Sequence, residues 1–111
     1  MHTSHTAVVE RDATYTADFE TEPYEAGWAS EAHWFVHAHG LGAGSELHIV
    51  AQISPDGLHW CDDGDRIPLF ISETGMFSFA QAAFGQWLRL RVVVTGDAPH
   101  AHVSVTLALK G

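Results

Sequence analysis

The residues with the widest chemical reach in this chain are its histidines, nine in 111, at positions 2, 5, 33, 37, 39, 48, 59, 100 and 102. Imidazole ligates transition metals and changes charge near neutral pH. In an extended chain, His33, Phe35, His37 and His39 fall on one face, and Trp34, Val36 and Ala38 on the other. The i, i+2 spacing makes His33, His37 and His39 a candidate metal-ligand set, and His100 and His102 repeat that spacing. The competing reading is a row of solvated surface imidazoles. Oxygen chemistry has a weaker signature. Asp62-Asp63-Gly64-Asp65 lacks the ligand spacing and closing Glu of a calcium loop, which makes it a solvated turn. No Ser, His and Asp combination has a nucleophile elbow, and Cys61 stands without a motif. Gly40-Leu41-Gly42-Ala43-Gly44 opens no helix and therefore is not a phosphate loop. No residue is assigned a catalytic role, no cofactor is implied, and the chain reads as a non-enzyme.

Aromatic and arginine side chains offer binding chemistry instead. Four tryptophans are many for this length. Trp34 and Trp60 read as core residues, and Trp28 in Ala26-Gly27-Trp28-Ala29-Ser30 is a candidate stacking platform for a sugar. If Leu88, Leu90, Val92 and Val94 face inward, then Trp87, Arg89, Arg91 and Val93 face outward together. Aromatics with Arg are the enriched composition of protein interfaces, so Phe35, Trp87, Arg89, Arg91 and Val93 form the candidate interface set. The alternative is that the two arginines lie against acidic strands of their own subunit.

The elements that position these groups alternate with period two. Residues 13, 15, 17 and 19 are apolar in turn, as are 47, 49, 51 and 53, then 88, 90, 92 and 94, then 101, 103, 105, 107 and 109. Alternation of this kind marks half-buried antiparallel strands. Turn residues at Pro23, Gly27, residues 40–44, Pro55-Asp56-Gly57, Asp63-Gly64-Asp65, Gly75, Gly85 and Gly96-Asp97-Ala98-Pro99 punctuate them. About eight strands are expected, drawn from 6–10, 13–20, 31–39, 46–54, 58–61, 67–72, 75–80, 86–95 and 100–109. Ala80 to Phe84 has room for one short helical turn. The expected fold is all-β: one antiparallel two-sheet β-sandwich over 1–111, jelly-roll-like, with a flexible tail at 1–5 and a hairpin joining the last two long strands.

Two stretches carry a more specific likeness. Ile49 to Trp60, with Ser54-Pro55-Asp56-Gly57 before the Trp, resembles the strand–turn–strand of discoidin-type, galactose-binding-like β-sandwiches. Phe84 to Val92 is similar to the strand that follows in that family. The likeness covers some 30 residues, concerns scaffold rather than site, and lacks the family's terminal cysteine pair. The same pair of motifs also resembles small accessory structural proteins of tailed phages and virus-like particles.

Composition limits the partners. Five Lys+Arg against fourteen Asp+Glu give a formal charge of −9, which disfavours nucleic acid. The run Asp18, Glu20, Glu22, Glu25 and Glu31 contains no base and supplies solubility. No apolar run has the length of a membrane span, the first residues are too polar for a signal peptide, and a cytoplasmic or assembly-associated location follows by default. The expected function is a structural subunit that self-associates or decorates a larger, virion-like or shell-type assembly. A carbohydrate-binding module using Trp28 and a small metal-binding protein using the histidines are the alternatives. Protonating all nine histidines would cancel the formal charge, so association should increase as pH falls.

Overall fold

The computed structural model describes residues 4–64, 68–82 and 86–111. Within them the chain is strand and loop: β1 (Ser4–Tyr15), β2 (Phe19–Glu20), β3 (Tyr24–Glu25), β4 (Glu31–Leu41), β5 (Glu46–Ser54), β6 (Cys61–Asp62), β7 (Leu69–Ile71), β8 (Gly75–Ala82), β9 (Trp87–Thr95) and β10 (Ala101–Lys110). Every pairing is antiparallel. The first sheet has the order β1-β10-β4-β8. The second runs β2-β9-β5-β6, with β3 also on β9 and β7 also on β5. Two antiparallel sheets make the expected sandwich. Among the described residues no helix is long and apolar enough to cross a membrane.

The period-two pattern places the core. Trp34, Val36 and Ala38 of β4 and Val103, Val105, Leu107 and Leu109 of β10 are buried on the inner face of the first sheet. Leu47, Ile49 and Ala51 of β5, with Leu88, Leu90, Val92 and Val94 of β9, meet them from the second. Each fully buried Leu or Val side chain contributes about 1.5–3 kcal/mol relative to an exposed one. The polar residues between them face outward.

Several expectations about elements change. β9 and β10 do not form a hairpin: β9 pairs with β5, β2 and β3, and β10 with β1 and β4. Thr95 to His100 therefore arches from one sheet to the other. Alternation identifies an inward face but not the sheet that it belongs to, so two consecutive strands with good inner faces look like a hairpin either way. The strands expected at 6–10 and 13–20 are divided differently. Ser4–Tyr15 is one bulged strand, and the chain crosses to the second sheet before Phe19, with the Tyr15 and Phe19 rings stacked at 3.5 Å. Ser4 and His5, expected in a tail, pair with Lys110 and Leu109. The segment expected as a strand at 58–61 is a bend, and the strand is Cys61–Asp62. Residues 1–3 of the expected tail, Ile67, and the Ala83 and Phe84 end of the short turn lie outside the described residues, while Ala80 to Ala82 continue β8.

Two sheet-crossing arches lock together at one end of the sandwich. The Gly42 amide donates to the His100 carbonyl at 2.8 Å, and the His100 amide to Ser45 Oγ at 3.1 Å. Gly96, at φ 131°, leaves only 3.0 Å between an added Cβ and the Gly44 carbonyl oxygen. Gly96→Ala is therefore expected to cost at least ~1–2 kcal/mol, for an unfavourable backbone plus a clash with main chain. Urea denaturation reads this as a lower midpoint with an unchanged slope.

A polar strut crosses the core. Trp34, with no exposed surface, donates its indole N–H to Gln81 Oε1 at 2.9 Å, and Gln81 Nε2 donates to Asp63 Oδ2 at 2.9 Å. The Asp63 amide in turn donates to the Ala51 carbonyl at 2.8 Å. Asp63 is thus buried, not part of a solvated turn, and Asp65 lies outside the described residues. Gln81→Leu keeps the bulk but leaves the Trp34 N–H without an acceptor, and should cost about 2–3 kcal/mol in the same denaturation experiment.

Candidate functional site

The sandwich presents two outer faces, and they divide the residues expected to form one interface. Phe35 lies on the outer face of the first sheet, whereas Trp87, Arg89, Arg91 and Val93 lie on the outer face of the second. The five do not come together.

On the second sheet the arginines are held within the subunit. Arg89 Nε donates to Gln52 Oε1 at 2.7 Å, and its guanidinium carbon sits 4.3 Å from the centroid of the Trp60 ring. Gln52 Nε2 donates to Asp62 Oδ1 at 2.8 Å, and Arg91 Nη2 lies 3.8 Å from Asp62 Oδ2. Trp60 is consequently half-buried beneath Arg89 and is not part of the core, contrary to expectation. The bend after Ser54 delivers it to the outer face, where a guanidinium covers the ring. Trp60→Ala should accordingly cost about 1–2 kcal/mol by denaturation, from partial burial and cation–π contact. A full core truncation would cost roughly 3–5 kcal/mol.

The bend gathers Ser, Asp and His, but not as a nucleophilic triad. Ser54 Oγ accepts from the amides of Asp56 at 3.2 Å and Gly57 at 2.8 Å, and donates to Asp56 Oδ1 at 3.1 Å. Asp56 Oδ1 also accepts from the amides of Leu58 and His59, and Asp56 Oδ2 lies 2.7 Å from His59 Nδ1. The carboxylate stands between the hydroxyl and the imidazole, so the imidazole has no hydroxyl to deprotonate. Gly57, at φ 78°, passes under the Trp87 indole, whose ring would lie 3.1 Å from an added Cβ. The His59 amide and ring, then the Leu58 amide, hold the Asp56 carboxyl well below the usual carboxylate range. A depressed folded-state value stabilises the fold above the unfolded carboxylate range, and that contribution is lost on acidification. Asp56→Asn should therefore lower the thermal midpoint at neutral pH. Its deficit against the parent should shrink below about pH 4.

The outer face of the first sheet differs in kind. Val8, Thr106, Phe35 and Ser78 form one continuous cross-strand row over β1, β10, β4 and β8. Val8 is 47% exposed, Phe35 37% and, one row away, Met76 61%. His33, Ala80, Ala82 and Ala108 are among the residues lining an adjoining 310 Å³ depression. Met76 and Val8 were not picked out from sequence. Met76 falls in Met76-Phe77-Ser78-Phe79, where both faces of the strand carry large apolar groups.

The three histidines expected to share a metal do not converge. His33 turns to Phe35, with ring centroids 5.0 Å apart, while His37 and His39 lie 3.9 Å apart. His102 approaches His39 from β10 at 4.9 Å, and Asp12 of β1 joins them. Among the described residues no group of three or more His, Cys, Asp or Glu is arranged to hold a metal ion. Above the β1–β2 crossing, Tyr15 donates its hydroxyl to Glu10 Oε2 at 2.7 Å, and burial, then this carboxylate, pushes the phenol above its ordinary range. Trp28 is 44% exposed, but its ring packs on Gly111, and the open recess nearby is lined by Glu25, Gly27, Pro55 and Gln86 rather than by Trp28.

No family model matches the chain, and no curated protein matches it. Solved structures do share its fold. The exported protein XepA of PBSX superimposes over 98% of this chain with TM-score 0.60 and 10% identity. The SPBc2 prophage-derived protein YomS does so over 100%, with TM-score 0.53 and 12% identity. VP2 in the subviral particle of infectious bursal disease virus matches over 98%, with TM-score 0.63 and 11% identity. The chain spans 36% of XepA and 32% of VP2, but corresponds to 96% of YomS. At these identities the likeness establishes a common β-sandwich. A prophage-derived protein and a virus particle protein are among these neighbours. The discoidin-type likeness loses its main support, since Trp60 is not an apolar plug.

Proposed function

We propose that this chain is a non-enzymatic structural subunit that associates with further copies of itself in a larger assembly. The observation that carries this reading is strand β8. Among the described residues Gly75–Ala82 is the last strand of the first sheet and pairs on one side with β4, and it contains no charged residue and no proline. Edge strands of soluble proteins are normally guarded by charge, proline or bulges. The opposite edge of the same sheet is guarded in this way: β1 carries Glu10, Arg11 and Asp12 and two register shifts.

A second copy fits β8 better than a basic partner does. The chain carries a formal charge of −9, so two copies repel over most of their surface, and a neutral strand lets them meet without opposing like charges. Exposed Met76 and Phe35 beside this edge supply apolar area for the same contact. The strand order supports a jelly-roll reading as well. With β2 and β3 taken as one interrupted strand, and β6 and β7 as another, eight strands remain. Every connection then crosses between sheets except the one after β5. YomS and the VP2 subviral particle lend weight through their fold and their described origins.

Mass photometry and light-scattering chromatography test the proposal. The parent protein should elute well above 12.1 kDa. Ser78→Lys and Met76→Lys should each weaken the association at least tenfold, about 1.4 kcal/mol, and so lower the assembled mass at a given concentration, while leaving the unfolding midpoint in place. Arg91→Glu, which disturbs only an intramolecular pair, should not. A parent chain that stays monomeric at high concentration overturns the reading.

A further inference from the structure

If β8 is the strand on which copies meet, a reading on which this inference rests, the two edges of the first sheet also constrain how they meet. Among the described residues those edges are β8 and β1. Pairing β8 of one copy with β1 of the next would repeat without closing and build a fibre. β1 opposes that with Glu10, Arg11 and Asp12 and with its two register shifts. Pairing β8 with β8 of a second copy uses the neutral edge twice and closes at two. Like charges stay out of that contact, because the sequence has no charged residue and no histidine between Glu73 and Arg89.

We infer that two copies pair β8 antiparallel about a two-fold axis at Ser78, joining their four-stranded sheets into one continuous sheet of eight. The register follows from the side chains. A two-fold axis normal to the sheet sets outward residues opposite outward ones, so one residue must lie opposite its own copy. Ser78 is exposed on the outer face, in the cross-strand row of Phe35 and Thr106. With the axis there, Met76 stands opposite the partner's Ala80, a long side chain beside a short one. On the inward side Phe77 stands opposite the partner's Phe79, and symmetry repeats the pair. Both rings are only partly buried in one copy, and aromatic cross-strand pairs stabilise a sheet. Gln81, buried and already bonded to Trp34 and Asp63, faces the partner's Gly75, which brings no side chain against it. Moving the axis to Phe77 would set Glu73 opposite Gln81. Moving it to Phe79 would set Phe77 opposite Gln81 and lose both Phe77–Phe79 pairs. The outermost strands of the joined sheet are then the two guarded β1 strands, so the sheet stops at eight and a larger assembly grows through another surface.

Disulfide trapping tests the axis, in a Cys61→Ser background that removes the chain's one thiol. Single cysteines replace Met76, Ser78 and Ala80, which are all outward and exposed. Opposed Cα atoms of an antiparallel pair lie about 4.5–5.5 Å apart, within disulfide reach, whereas positions four residues out of register lie more than about 13 Å apart. With copper phenanthroline as oxidant, Ser78→Cys should give a covalent species of twice 12.1 kDa on non-reducing gels. It should form at least about tenfold faster than with Met76→Cys or Ala80→Cys alone, whose thiols are out of reach of their own copies. An equimolar mixture of Met76→Cys and Ala80→Cys should be trapped as readily as Ser78→Cys, and decides the register even where Ser78→Cys lowers the unfolding midpoint. Faster self-trapping of Met76→Cys or Ala80→Cys overturns the axis and leaves the self-assembly reading standing. So does the absence of trapping in all of these samples while mass photometry shows the Cys61→Ser protein assembled. A protein that stays monomeric at high concentration overturns both.

Discussion

A tryptophan with no exposed surface has one polar atom that must still be satisfied, and much of this sandwich is arranged around that need. The indole N–H of Trp34 cannot reach water, and an unmet buried donor costs about 1–3 kcal/mol. Gln81 of β8 meets it with its carbonyl, which leaves a buried amide N–H₂ that needs an acceptor of its own. Asp63 supplies one, and its backbone is tied to Ala51 of the second sheet. One buried ring thus determines a residue on the edge strand of its own sheet and the path of a loop on the other. Apolar burial alone would leave the two sheets free to slide, whereas a directional chain of hydrogen bonds does not.

The outer faces are governed by a different balance. On the second sheet Arg89, Gln52, Asp62 and Arg91 are linked to one another by hydrogen bonds and one ion pair, with the Trp60 ring beneath the Arg89 guanidinium. Such a face is already satisfied, and a partner would have to break contacts before making new ones. The first sheet leaves Phe35, Met76 and Val8 with no comparable cover. Its edge at β8 is neutral, while its edge at β1 is charged and bulged. The asymmetry between those two edges, rather than hydrophobic area alone, favours β8 as the contact strand.

Strand alternation in this chain was legible because its physical cause is local. A residue at an even step from Leu107 lies on the face of Leu107 whatever the strand pairs with, so the inner faces of β4, β5, β9 and β10 follow from composition and period. The Ser54-Pro55-Asp56-Gly57 bend was likewise legible, since its hydrogen bonds join residues at most three apart and its φ of 78° requires glycine. The histidine row on β4 was read correctly as one outward face, but the grouping within it was not.

What only the tertiary structure decided is long-range. Strand phase cannot choose between a hairpin and an arch for residues 95–100, because β9 and β10 have equally good inner faces and differ only in their partners. Trp60 resembles a core residue by type and ends on the outer face, because a bend has no memory of which side its following chain must take. Asp12 is separated from His102 by ninety positions in the sequence and from its contact by a bulge, and period-two reasoning fails at a bulge, where one extra residue reverses every face that follows. By itself the sequence determined which side chains avoid water; the pairing of strands across two sheets determined which of the remaining ones meet.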